Sequence, residues 1–123
     1  VSGSTAYFER AFVTYANEAK VQMLGVPEVL LEEHGAVSEP VAQAMAEGAR
    51  REAGATWALS LTGIAGPTGG TPDKPVGLVF AAVAGPDRTR VRKLRLFRDR
   101  DLNRRLSVSI ALEMLRREMA RTP

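Results

Sequence analysis

The run Trp57-Ala58-Leu59-Ser60-Leu61-Thr62-Gly63-Ile64-Ala65-Gly66-Pro67-Thr68-Gly69-Gly70 decides the fold. Trp57 to Thr62 is short and apolar, the length of a buried strand, and it breaks sharply into glycine and proline. Downstream, Val76 to Val83 is a second apolar run, bounded by Pro75 and Gly85-Pro86. Thr89 to Phe97 then alternates basic residues with Val91, Leu94 and Leu96, the pattern of a partly exposed strand. Two successive strands after a strand-to-loop break predict a hairpin-like pair, whose faces helices elsewhere in the chain must cover.

Those helices are legible on both sides. Upstream, Ser38 sits where an N-cap belongs, with Glu39 and Pro40 in the first turn. Val41, Ala42, Met45, Ala46 and Ala49 recur at helical spacing as far as about Ala53. Pro27 opens a shorter helix to about His34, closed by Gly35, and His34 is expected to interact with that helix's last carbonyls. Ala19 to Leu24 reads as a short helical turn stopping at Gly25. Further back, Ala11-Phe12-Val13-Thr14-Tyr15 is β-branched and aromatic and predicts another buried strand. Downstream, Leu102, Leu106, Ile110 and Met114 form the apolar face of a long closing helix to about Arg121. The expected fold class is α/β, a three-layer α/β/α sandwich with a mixed central sheet, in one domain spanning residues 1–123.

At 123 residues and 45% hydrophobic, the chain has material for a single core. With no cysteine and one histidine, disulfide frameworks, thiolate metal sites and the usual zinc sites are excluded. No apolar run approaches a membrane span and no secretory leader opens the sequence, so a cytoplasmic protein without membrane association is expected. The first residue is Val1 rather than Met, so the chain is expected to be processed, cut, or a piece of something longer. The net charge of +3 comes mostly from Arg88, Arg90, Arg92, Lys93, Arg95, Arg98, Arg100, Arg104 and Arg105. That cluster is either a solvated strand edge and helix start or a local anion site. With only Phe97 as a nearby aromatic and no groove-reading motif, nucleic-acid binding is not expected.

Two segments could carry chemistry. In Thr62 to Gly70, four glycines follow a strand, which lets backbone N–H groups approach an anion; a plain turn would use the same residues. The run is neither a phosphate-binding Walker loop nor a dinucleotide fingerprint. Lys74, before Pro75-Val76-Gly77, is either a phosphate ligand at this opening or a solvated lysine. In Thr14-Tyr15-Ala16-Asn17-Glu18-Ala19-Lys20 a strand ends at a tyrosine and a lysine follows one turn later. A lysine of lowered pKa can deprotonate a hydroxyl nucleophile with a tyrosine relaying the proton, although a surface lysine beside a core-edge tyrosine has the same spacing.

Taken together these segments resemble the CinA carboxy-terminal domain family, whose members resemble nicotinamide-mononucleotide deamidases. Gly3-Ser4-Thr5 with Tyr7-Phe8, and Val13 to Lys20, are similar to its "GSS..F" and "TYSNEAK" signatures. Leu24-Gly25-Val26, Gly35 to Glu39 and Met45-Ala46 continue the match. Thr62-Gly63-Ile64-Ala65-Gly66-Pro67, Gly69-Gly70 and Lys74-Pro75-Val76-Gly77 resemble its most distinctive run. Asp99-Arg100 and Arg104 look like its "GDR" and following "R", with Arg98 where the family has glycine.

The resemblance implies hydrolysis of the carboxamide of nicotinamide mononucleotide, without a metal or organic cofactor, by a homo-oligomer of at least two copies. Tyr15 and Lys20 would be the activating pair. Thr62, Gly63 and Gly66 would contribute substrate or oxyanion contacts, and Lys74, Arg100 or Arg104 would hold the phosphate. The family's nucleophilic serine lies in an "ESCTGG" motif upstream of the Gly3-Ser4 pair. No residue of this chain matches it, so the chain alone is expected to be inactive. The alternative is a non-catalytic nucleotide-binding or accessory interaction domain.

Overall fold

The computed structural model describes residues 24–64 and 70–121. The strand expected over Ala11 to Tyr15, the turn before Leu24, and Tyr15, Lys20 and Gly66 lie outside the described residues. Within them the order is α1 (Glu28–His34), α2 (Glu39–Ala53), β1 (Ala58–Gly63), β2 (Leu78–Ala84), β3 (Thr89–Arg95) and α3 (Arg100–Arg121).

The sheet has the order β1-β2-β3 and both pairings are antiparallel. A mixed sheet was expected, and the described strands contain no parallel pair. The connections explain this. Gly85 N–H donates to Arg88 C=O at 2.9 Å to close a tight turn between β2 and β3, and the Ile64 and Gly77 backbones meet across the longer loop between β1 and β2. A parallel pair would need a crossover of a dozen residues or more.

β2 is buried along its whole length, which is why it reads as a continuous apolar run. Its alternate residues face opposite ways. Leu78, Phe80, Ala82 and Ala84 pack with Ala42 and Ala46 of α2. Val79, Ala81 and Val83 pack with Leu94 and with Ala111, Met114 and Leu115 of α3. Burial of Val79, Phe80 and Val83 stabilises the sheet by about 1.5–3 kcal/mol per side chain. A third cluster, Leu24, Val26, Leu31, Val41 and Met45, holds α1 against α2. Leu24 can cross α2 closely because Gly48 has no side chain there to meet the Leu24 carbonyl.

Three local expectations are corrected. β2 begins at Leu78 rather than Val76, because Gly77 sits at φ +90 and any Cβ there would collide with the Leu96 carbonyl oxygen. Ser38 occupies the N-cap position of α2, but its hydroxyl donates to Gly35 C=O at 2.8 Å instead of accepting a helix N–H. The buried face of α3 is Asn103, Ser107, Ala111, Met114, Leu115 and Glu118, whereas Leu102 is 37% exposed and Leu106 and Ile110 are half-buried. The polar members of that face are each satisfied, which removes the cost of burying them. Asn103 Oδ1 accepts Arg98 N–H at 3.0 Å, and Ser107 Oγ donates to Asn103 C=O at 2.7 Å. Glu118 takes a bidentate pair from Arg88 at 2.9 and 3.0 Å.

Candidate functional site

The strand register gives the sheet two distinct ends. Ala58, Ala84 and Thr89 align at one, and Gly63, Val79 and Leu94 at the other. The glycine-rich loop leaves from the second. Gly63 is a close-approach position, since a Cβ there would lie 2.7 Å from Val79 Cγ2 and 2.9 Å from Leu78 C=O. Ile64 N–H donates to Leu78 C=O at 2.9 Å and Gly77 N–H to Ile64 C=O at 2.6 Å, which brings the two arms of the loop together. Thr71 and Lys74 close a turn at its far side, with Thr71 N–H on Lys74 C=O at 2.9 Å and Lys74 N–H on Thr71 Oγ1 at 3.0 Å.

The segment between α1 and α2 is bound to the same end. Thr62, which is buried, donates its hydroxyl proton to Ala36 C=O at 2.7 Å. One step along the same face, buried Ser60 donates to Ala42 C=O at 2.7 Å. The Lys74 ammonium donates to His34 C=O at the C-terminus of α1, a position where a cation opposes the helix's exposed carbonyls. Lys74 therefore bridges the loop to α1. The His34 imidazole lies 3.7 Å from the Glu33 carboxylate on the surface.

α3 completes this end. Asp99 Oδ1 accepts Leu102 N–H at 2.9 Å, an N-cap bond that starts the helix at Arg100. With 22 residues, α3 is about 33 Å long, against about 23 Å for a seven-residue strand. Its C-terminal turn is held at the opposite end of the sheet by Glu118 on Arg88. Arg100 falls about five turns before buried Glu118, and Arg104 about two turns before buried Ala111. Both arginines are exposed, although Asn103 and Ser107 beside Arg104 are buried.

The structure thus brings Thr62, Gly63, Lys74, Arg100 and Arg104 to one end of the sheet. Of the remaining candidates, Tyr15, Lys20 and Gly66 lie outside the described residues. Sequence reasoning missed Asp99 as the cap that sets where α3 begins, although an aspartate three residues before the first apolar helix position is a readable start signal. It also missed Arg95, whose Nη1 donates to Val76 C=O at 2.5 Å and joins β3 to the loop.

The electrostatics of the opposite end differ. Hydrogen bonds from Arg88 hold the Glu118 carboxyl below its ordinary range, despite burial that pushes the other way. On the exposed side of α3, hydrogen bonds from Arg116 and then Arg117 lower Glu113 to about 2. A depression of about 190 Å3 between β3 and α3 is lined by Arg92, Ser109, Ile110, Glu113, Met114 and Arg117. It lies beside the middle of α3, apart from the loop, and its one carboxylate is already paired with Arg117. Among the described residues no three acidic, histidine or cysteine side chains are placed to share a metal ion. No described helix is long and apolar enough to cross a membrane.

The comparisons agree with this architecture. The sequence model of the CinA C-terminal domain matches residues 1–119. A CinA-like protein of Anaeromyxobacter dehalogenans is 57% identical over 116 residues, covering 94% of this chain and 28% of the relative. One from Geotalea daltonii is 53% identical over 123 residues, covering 100% and 30%. The chain therefore spans less than a third of the length of these curated relatives. Among solved structures, the competence/damage inducible protein CihA of Agrobacterium tumefaciens superposes with a TM-score of 0.82 at 44% identity, over 85% of this chain and 64% of that one. The competence damage-inducible protein A of Klebsiella pneumoniae gives 0.85 at 33% identity, over 90% and 69%. With a family match over nearly its whole length and the same fold in solved relatives, this chain belongs to the CinA C-terminal domain family.

Proposed function

We propose that the domain to which this chain belongs hydrolyses the carboxamide of nicotinamide mononucleotide to nicotinate mononucleotide and ammonia. The observation that supports the reading is that α3, which carries Arg100 and Arg104 in its first turns, begins at the end of the sheet from which the glycine-rich loop leaves. Two planar forks of N–H donors suit a phosphate monoester. Gly63 adds no side chain on the adjoining side.

In this reading a serine from an "ESCTGG" segment upstream of Gly3 attacks the amide carbon. Lys20 takes the hydroxyl proton with Tyr15 relaying or holding it, and Thr62, Gly63 and Gly66 contribute substrate or oxyanion contacts. Ammonia leaves with that proton, and water then releases the acid from the acyl-enzyme. Neither a metal nor an organic cofactor is needed for these steps. The Thr62 hydroxyl proton is committed to Ala36 C=O, so Thr62 contributes its main chain and the alignment of the 35–38 turn. Lys74, held on α1, serves as a second cation near the phosphate.

The strand of residues 11–15 would add the parallel partner of a mixed sheet, and with α2 and α3 on opposite faces would complete a three-layer sandwich. The protein works in the cytoplasm as a homo-oligomer. An ammonia-release assay with nicotinamide mononucleotide, on the 123-residue chain and on a version extended upstream through the serine motif, tests the reaction. Activity in the longer version alone is the expected result. Activity in neither would replace hydrolysis with nucleotide binding.

A further inference from the structure

Phe97 is 80% exposed, more than any other large hydrophobic residue among those described. Its exposure follows from its neighbours. Leu96 packs into the core under α3 and its N–H donates to Gly77 C=O at 2.8 Å, which leaves the next side chain directed outward. One ring face is occupied, because the Arg95 guanidinium carbon lies 4.7 Å from the ring centroid. Arg95 is itself fixed, with Nη1 on Val76 C=O at 2.5 Å. Val76 in turn lies against the end of the glycine-rich loop, where a Cβ on Gly70 would be 2.7 Å from Val76 N. The chain of contacts Gly70, Val76, Arg95, Phe97 is continuous. Arg98, Asp99 and the first turn of α3 follow it in the chain.

We propose that the open face of Phe97 is the stacking wall for the aromatic ring of the bound nucleotide, with Arg95 clamped over the other face to hold the phenyl ring in place. An aromatic ring exposed this far, buttressed on one side only, joined through Arg95 to the Val76 arm of the loop and followed in the chain by the exposed Arg98 and Arg104, suits a ligand that has both a flat ring and an anionic group. A positively charged pyridinium ring is favoured by the negative face of the phenyl group. This specificity role rests on the pyridine-nucleotide reading above and adds to it the residue that selects an aromatic ring over a bare sugar phosphate.

The test is titration calorimetry of nicotinamide mononucleotide and of ribose 5-phosphate into the 123-residue chain and its Phe97→Leu, Phe97→Ala and Phe97→Trp variants, with circular dichroism confirming each fold. Phe97→Leu and Phe97→Ala are expected to weaken the mononucleotide about tenfold, the loss typical of one ring stack. Ribose 5-phosphate should bind all variants alike. Phe97→Trp should keep the affinity and show fluorescence quenching on addition of the mononucleotide, beyond any change from Trp57 in the unsubstituted chain. Equal mononucleotide affinity in all four proteins overturns the stacking role while leaving the nucleotide reading intact. Loss of self-association on sedimentation, with nucleotide affinity unchanged, overturns it in favour of a protein contact. No mononucleotide binding to the unsubstituted chain overturns both readings.

Discussion

The two ends of the sheet use the same residue types to opposite purposes. At the Gly85 end, arginine is consumed internally. Arg88 clasps Glu118 through two hydrogen bonds, Arg121 approaches the same carboxylate at 3.8 Å, and the Trp57 ring closes over Gly85. At the Gly63 end Thr62 donates to Ala36 C=O, Lys74 to His34 C=O and Arg95 to Val76 C=O, with no carboxylate in these bonds, and Arg100 and Arg104 lie at the exposed start of α3. A fold needing only stability would close both ends alike. The difference teaches that the Gly85 end is locked by a guanidinium–carboxylate clasp, whereas the cations joining elements at the Gly63 end are held by main-chain carbonyls alone.

The largest effect is expected from breaking the open end itself. Gly77→Ala forces a side chain into positive φ and against the Leu96 carbonyl, and should lower unfolding free energy by about 3 kcal/mol or more in urea titration. Arg88→Ala, which breaks the closed end, comes next. The Glu118 carboxyl is held below its usual 4.5, so the unfolded chain takes up that proton first as pH falls. The clasp's contribution is therefore present above pH 4.5 and lost progressively below it. The variant should be less stable at neutral pH, with a flatter decline on acidification, seen by thermal unfolding between neutral and acid pH.

Thr62→Val, which leaves Ala36 C=O without its donor, should cost about 1–2 kcal/mol by urea titration. Arg104→Ala should be the mildest for stability, within about 0.5 kcal/mol. In the upstream-extended chain it should nevertheless raise the KM for nicotinamide mononucleotide about tenfold with little change in kcat. An unchanged KM would transfer the phosphate role to Arg100 or Lys74 and sharpen the comparison accordingly.

Much of the fold was legible because β2 is apolar throughout and β3 alternates, so period and length identify them without tertiary information. The boundary at Gly77 was not, because positive φ at a glycine follows from a carbonyl contributed by the next strand. The face of α3 was misjudged for a related reason. Asn103, Ser107 and Glu118 are buried only because partners from distant segments or the preceding turn satisfy them, and no periodicity of apolar residues shows that. At the site, Thr62, Gly63 and Arg104 were named from motifs, but where α3 begins depends on the Asp99 cap. Lys74 was readable as solvated, the reading its spacing favours, or as an anion ligand, and its contact with the α1 carboxy terminus was in neither reading.

The central claim is that the nucleotide binds at the Gly63 end, and amide chemical-shift mapping tests it most directly. Titrating nicotinamide mononucleotide into the 15N-labelled chain should move the resonances of Thr62, Gly63, Gly70 to Gly77 and Phe97 to Arg104, while Trp57, Gly85 to Arg90 and Glu118 stay fixed. Shifts confined to the Gly85 end or to the depression between β3 and α3, or no shifts at all, would contradict it.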